Sequence, residues 1–233
     1  MCLFLVEGPT DRLRLSLLND LFDDSKIKFA TMDGDVFTSL DYEETTKVKT
    51  LNSLNNDKIY NFSEFDEVYH VCDTDGCFIN EDCIYENAEA KKTLYERNQI
   101  FTKSRINLIE RNKVKASNLK DCNLKSNYKV LYFSTNVEDA FEEIQNPKAN
   151  NKVNLSINCF RRYKNKPMRL LKKLYDMCPP VKSLKESWDF ISSERNSLDS
   201  WSNLFLFVLE HKNELKPEIQ KKLNSHDIEQ FWR

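Results

Sequence analysis

Residues 67–76 read EVYHVCDTDG. The run from Glu67 to Cys72 is rich in β-branched and aromatic residues and stops at Asp73-Thr74-Asp75-Gly76, as a buried strand does when it enters a turn. Working outward, Met1 to Val6 (MCLFLV) is a continuous apolar run that stops at Glu7-Gly8-Pro9-Thr10-Asp11. Lys26 to Met32 is a shorter run ending at Asp33-Gly34-Asp35, and Tyr128 to Phe133 (YKVLYF) is another, followed by Ser134-Thr135-Asn136. Uninterrupted apolar strands are those covered on both faces. Thr10 or Asp11 is placed to cap a helix over roughly Asp11 to Phe22. Residues 36–60 read as helical or irregular, and Asn80 to Val114 as helical and rich in charge. Strands separated by helices imply an α/β fold with a central parallel sheet of about four strands.

After Asn150 the alternation ceases. Phe160 to Met177 reads as one basic amphipathic helix broken by Pro179-Pro180, with further helices at Ser187–Ser193, Ser197–Lys212 and Pro217–Asn224. Gln145 to Lys152 is the best linker. The expected division is therefore a Rossmann-like α/β domain at 1–148 and a helical C-terminal region at 149–233.

The chain has only three glycines, Gly8, Gly34 and Gly76. Each stands at an expected strand end beside carboxylates. Glycine serves where the backbone turns sharply or is closely approached, and open parallel sheets bind ligands beyond the carboxyl ends of their strands. Glu7, Asp73 and Asp75 are thus expected on one edge, with Asp73 and Asp75 two apart and pointing to one side if the segment is extended. Carboxylates alone are hard oxygen donors that suit Mg²⁺, with Mn²⁺ as a substitute. Asp33 and Asp35 are either further site residues or a solvated turn; the sequence fits both.

The segments LFLVEGPTDRLRL and EVYHVCDTDG resemble the Toprim domain of topoisomerases, DnaG-type primases and the overcoming-lysogenization-defect nucleases. The resemblance covers about residues 1–145. It implies Mg²⁺ binding by Asp73 and Asp75, with Glu7 as a ligand or as general acid/base at the scissile phosphate. It marks Asp11, in the E-G-x-x-D run, as a secondary acidic position. The size and the helical tail look more like small stand-alone Toprim nucleases of phage defence, RloB-like or of abortive-infection type, in which Glu138 matches an acidic position after the fourth strand. The implied activity is a metal-dependent nuclease that hydrolyses DNA or RNA, tRNA included, restrained by a regulatory partner such as an ATPase or an antitoxin-like protein. The alternative is a non-catalytic nucleic-acid-binding or effector-partner module with the same fold. Nucleotidyl transfer ranks last, because no nucleotide-binding motif accompanies the carboxylates.

Charge is divided along the chain. Residues 151–233 hold 16 Lys/Arg against 10 Asp/Glu, while the whole chain has a net charge of −2. An acidic half beside a basic half can set a metal site next to a polyanion-binding surface. Arg161 to Lys173 contains seven basic residues and no acidic one. Arg161, Arg162, Lys164, Lys172 and Lys173, together with Lys91 and Lys92, are the candidate phosphate contacts. Tyr163 is a candidate for stacking on a base, whereas Trp188, Phe190, Trp201, Phe205 and Phe207 read as core. His70 reads as core or as a neighbour of the site, and His211 and His226 are isolated. The seven cysteines form no C-x-x-C pair and no zinc pattern, as expected of free thiols in a reducing cytoplasm. No signal peptide and no membrane span are expected.

Overall fold

The computed structural model describes residues 1–23, 26–58, 62–122 and 128–224. In chain order its strands and α-helices are β1 (Cys2–Val6), α1 (Pro9–Leu15), β2 (Ile27–Thr31), α2 (Tyr42–Asn56), β3 (Glu67–Asp73), β4 (Ile84–Glu86), β5 (Leu94–Glu96), β6 (Gln99–Thr102), α3 (Arg105–Cys122), β7 (Tyr128–Phe133), α4 (Val137–Glu142), α5 (Lys152–Tyr163), α6 (Pro167–Asp176), α7 (Leu184–Ile191), α8 (Leu204–Glu210) and α9 (Pro217–Asn224).

The four long apolar runs form one fully parallel sheet in the order β2-β1-β3-β7. Val6 pairs with Thr31 on one side and Val71 on the other, and Asp73 pairs with Phe133, so the carboxyl ends of all four strands reach one edge. The chain leaves β1 toward β2 and later returns to the opposite side of β1 as β3. The edge between β1 and β3 is therefore a topological switch point, where a crevice opens beyond the strand ends.

Alternation along the strands feeds two cores. Phe4, Val6, Phe29, Tyr69, Val71, Leu131 and Phe133 pack with residues of α1, α4, α5, α6, α8 and α9. Leu3, Leu5, Ala30, Cys72, Val130 and Tyr132 pack with residues of α2, α3 and α7. The helical tail shares these cores with the sheet: Phe207 of α8 is fully buried, with its ring 5.0 Å from Phe4 and 4.8 Å from Tyr69.

Several local readings need correction. Residues 84–102 form a second, three-stranded sheet in the order β4-β6-β5, where a helix was expected. These strands are only three or four residues long, and Ile84 and Ile100 anchor them to Ile79, Leu108, Ile109 and Leu198. Helix α1 begins after Gly8 without a side-chain cap and gives way at Ser16 to a 3-10 turn. The expected single basic helix is two, α5 and α6, separated at Asn165, whose φ of 58° is left-handed. Pro167 then opens α6, where its missing N–H costs nothing. The expected helix at 197–212 is shorter, a 3-10 turn preceding α8.

Candidate functional site

Three strand ends converge on the switch-point edge. Glu7 follows β1, and its carbonyl accepts the Gly34 N–H at 2.8 Å, which ties the β2 turn to it. Asp73 closes β3, and its Oδ1 accepts the Val137 N–H at 3.0 Å, which ties the start of α4 to it. Beyond Asp73 the chain is not extended, contrary to the geometry expected for the pair. Thr74 is fully buried, and Asp75 and Gly76 take left-handed φ values of 52° and 63°. A Cβ at Gly76 would overlap the Leu198 side chain, so glycine is required there by conformation and by space.

This turn brings Asp75 to a basic partner. The Lys115 ammonium donates to Asp75 Oδ2 at 2.8 Å and to Asp35 Oδ2 at 2.7 Å. Arg111 stands 3.7 Å from the same Asp75 oxygen. Asp35 Oδ1 accepts the Phe37 N–H at 2.8 Å. Asp33 lies exposed on the same turn, and its carbonyl accepts from Lys49 at 2.7 Å. Of the two turn aspartates it is Asp35 that faces the crevice.

On the far side Glu138 is fully buried, with Oε1 3.4 Å from Arg14 and Oε2 3.5 Å from Lys152. Arg14 is itself fully buried; it also pairs with Glu142 at 3.4 Å and reaches Asp11 at 4.0 Å. Asp11 and Glu138 thus flank the crevice on one side, as Asp35, Asp75 and Lys115 do on the other.

The electrostatics record this crowding. Burial pushes the Asp73 carboxyl well up, and Glu7, Asp11, Asp75 and Glu138 push it further. Burial also raises Glu7 well above the usual carboxylate range; Lys115 opposes the shift, and Asp35, Asp75 and Asp11 add to it. Asp11 is raised to about 6 by burial and by Glu138, against Arg14. Asp75 goes the other way: burial raises it, but Lys115 and Arg111 outweigh burial and hold it below its ordinary value. Glu7 Oε1 and both Glu138 carboxylate oxygens are buried with no hydrogen-bond partner among the described residues. Buried acceptors normally find a donor; the Glu138 oxygens face Arg14 and Lys152 as ion pairs, which leaves Glu7 Oε1 the clearest unmet acceptor. Carboxylate oxygens are donors of the kind a hard divalent ion takes, but among the described residues no three carboxylates of this edge bring oxygens within 4.8 Å of one another.

The basic candidates are divided. Arg161 and Arg162 are exposed on α5. Lys164 pairs with Asp20 at 2.9 Å and Lys172 with Asp176 at 2.7 Å. Lys91 and Lys92 are exposed, with Lys92 donating to the Pro147 carbonyl at 2.9 Å. Lys173 lines an open cleft of about 650 Å³ with Arg97, Asp139, Asp199 and Trp201. Tyr163 is not available for stacking: it is buried against Phe141, 6.2 Å between rings, with Arg169 over its face. His70 is fully buried within the sheet, its Nδ1 paired with the Tyr128 hydroxyl.

Lys115, Arg111 and Arg14 were not singled out from sequence. A signal for Lys115 existed: in α3 the buried residues Leu108, Asn112, Lys115, Leu119 and Cys122 follow helical spacing, which puts a lysine on the inward stripe. No protein-family model, curated protein or solved structure matches this chain.

Proposed function

We propose that the chain is a Mg²⁺-dependent phosphodiesterase acting on nucleic acid, built as a Toprim-like nuclease on the switch-point edge. The observation that carries this reading is the gathering of Glu7, Asp11, Asp73 and Glu138 at one edge, with Glu7 Oε1 buried and without a hydrogen bond among the described residues and the Asp73 carboxyl pushed up by its acidic neighbours. Mutual repulsion that raises several buried carboxyls is costly unless a cation relieves it. Structural ion pairs need no such arrangement, and perturbed acids gathered in a cleft mark functional sites.

Glu7, Asp73 and Glu138 are the residues that would hold Mg²⁺, with Asp11 beside them. The ion would polarise a phosphoryl oxygen and make water a better nucleophile near neutral pH. Glu7 and Asp73 would have to be ionised to hold the ion, so binding would release protons. Glu7, whose carboxyl is raised by burial, suits proton transfer at the scissile phosphate. Lys115 and Arg111 keep Asp75 ionised, and Lys115 fixes the β2 and β3 turns to each other. Arg161, Arg162, Lys91 and Lys173 supply cationic groups toward a polyanion. A cytoplasmic role in phage defence, under a regulatory partner, follows from the resemblance alone. The described residues include no helix long and apolar enough to cross a membrane.

A second reading, a binding module without catalysis, is favoured by one observation. The Lys115 ammonium already pairs with both Asp35 and Asp75, as a purely structural bridge would. Incubation of the purified chain with labelled tRNA, single-stranded DNA and double-stranded DNA separates the two, each with Mg²⁺, Mn²⁺ or EDTA. The nuclease reading expects cleavage in at least one substrate, abolished by EDTA. Binding without cleavage under all conditions leaves the second reading.

A further inference from the structure

A second group of ligating side chains lies at the opposite edge of the sheet, where the strands begin. Cys2 opens β1, Glu67 opens β3 and His211 directly follows α8. Their ligand atoms all lie within 4.8 Å of one another, and among the described residues this is the sole such grouping of three. We propose that Cys2 Sγ, Glu67 Oε2 and His211 Nε2 form a binding site for Zn²⁺, distinct from the carboxylate crevice.

The surroundings match what a bound transition metal requires. A ligating histidine donates its other ring N–H to a carboxylate, which fixes tautomer and orientation. His211 Nδ1 stands 3.1 Å from Glu214 Oε1, so with a metal on Nε2 the ring would keep its proton on Nδ1, toward Glu214. Nε2 is 3.1 Å from Glu67 Oε2 and 2.8 Å from the Tyr69 hydroxyl. Glu67 is divided in the same way. Its Oε1 accepts from Lys129 at 2.8 Å, and its Oε2 faces His211 while accepting from Tyr69 at 3.0 Å. The imidazole is fixed by ring contacts to Phe207 and Tyr69, with centroids 4.6 and 5.7 Å away. A thiolate, an imidazole and one carboxylate form a mixed set that suits Zn²⁺ and not Mg²⁺. Three protein ligands leave a fourth tetrahedral position for water.

Charge balances as well: one thiolate and one carboxylate neutralise the divalent ion, while Lys129 also reaches Glu210 at 3.5 Å. Without metal the Cys2 thiol is raised to about 11 by burial and by Glu214 and Glu67, so binding releases its proton to solvent. The site joins residues 209 positions apart in the chain and would fasten the tail to the strand starts. Sequence spacing could not reveal it.

The test uses the untagged chain stripped with EDTA and titrated with Co²⁺, then Zn²⁺. The expected result is a near-ultraviolet thiolate-to-cobalt band that saturates at one equivalent, is bleached by Zn²⁺, and accompanies a higher melting temperature. Cys2→Ser and His211→Ala should lose the band, whereas Asp73→Asn, in the other site, should keep it. Glu214→Gln should keep the band and bind roughly 10–100-fold more weakly, as loss of a histidine-orienting partner does. Absence of the band in the wild type, or its persistence in folded Cys2→Ser, overturns the proposal and leaves a hydrogen-bonded cluster only.

Discussion

The Lys115 ammonium lies 2.8 Å from Asp75 Oδ2, and the lysine is fully buried. Burial alone would depress this amine, yet Asp75, Asp35 and Glu7 raise it well above its ordinary value. The charged form is therefore the folded form, and the lysine links the turns that follow β2 and β3.

Lys115→Met should destabilise the chain strongly. Removing one partner of a buried pair leaves the other uncompensated, at a cost of about 3–5 kcal/mol. The sign with pH follows from both partners. The raised Lys115 contributes fully below its unfolded pKa, so it does not titrate near neutrality. The lowered Asp75 contributes above its unfolded value of about 4 and is lost only as pH falls through its folded value. The penalty should be flat from pH 6 to 8 and shrink in acid. Urea denaturation at several pH values measures it, and a variant as stable as wild type at pH 7 would exclude the bridge.

Asp73→Asn should have the opposite effect on stability. Asp73 is raised, so its ionisation disfavours the folded state, increasingly as pH climbs from the unfolded value of about 4. The amide keeps Oδ1 for the Val137 N–H and removes the repulsion with Glu7 and Asp11. In EDTA at pH 7.5 its melting temperature should exceed that of wild type, each kcal/mol gained appearing as roughly 2–4 °C. Mg²⁺ should raise the wild type more than the variant, and cleavage should vanish in the variant. Calorimetry with and without Mg²⁺ decides; a lower melting temperature in EDTA contradicts the crowding of carboxylates.

The sheet was legible because its four strands are long and apolar, and a parallel sheet with Val6 opposite Val71 brings Glu7 and Asp73 to the same edge. The acidic edge could therefore be read from glycine and carboxylate positions. What could not be read depends on distant partners. Lys115 carries no local mark of its partners, and Asp35 and Asp75, distant in sequence, draw it inside. Tyr163 looked available, but Phe141 covers it. The strands β4, β5 and β6 were missed because a three-residue strand carries no period, and their pairing is decided by Ile84 and Ile100 reaching a shared core.

Metal affinity should fall steeply in acid. Asp11 is raised to about 6 by burial and Glu138, Glu7 is raised by burial and by Asp35, Asp75 and Asp11, and Asp73 by burial and by Glu7. Protons and Mg²⁺ compete for the same oxygens. Titration calorimetry at pH 5.5 and 7.5 should show weaker Mg²⁺ binding at the lower pH. Proton release should appear as a dependence on buffer ionisation enthalpy. Equal affinity at both values would place the ion elsewhere.

Of the basic candidates, those exposed should govern substrate binding. Arg161→Glu with Arg162→Glu should lower the slope of log affinity against log salt by about one for each lost phosphate contact. Lys164→Ala, which breaks the pair with Asp20, should alter stability and leave that slope unchanged. A salt titration with each variant tests the division, and an unchanged slope in the arginine variant returns α5 to an ordinary solvated face.

Glu7→Gln separates catalysis from binding. The backbone of Glu7 is anchored by β1 and by the Gly34 N–H, and its Oε1 is buried without a hydrogen-bond partner among the described residues. Glutamine keeps the shape and removes the charge. If Glu7 holds the ion or moves a proton, the cleavage rate should fall by roughly 10²–10⁴-fold or more. Affinity for nucleic acid should hold or rise, because one negative charge near the phosphate is gone. Stability at neutral pH should not fall, because the raised pKa of Glu7 marks its ionisation as unfavourable in the fold. Rate, affinity and melting temperature must therefore be measured on one preparation. A misfolded variant would lose all three, and a binding module would show only a small change in affinity. A variant that cleaves at the wild-type rate would reduce Glu7 to a strand-end residue and remove the basis of the proposed chemistry.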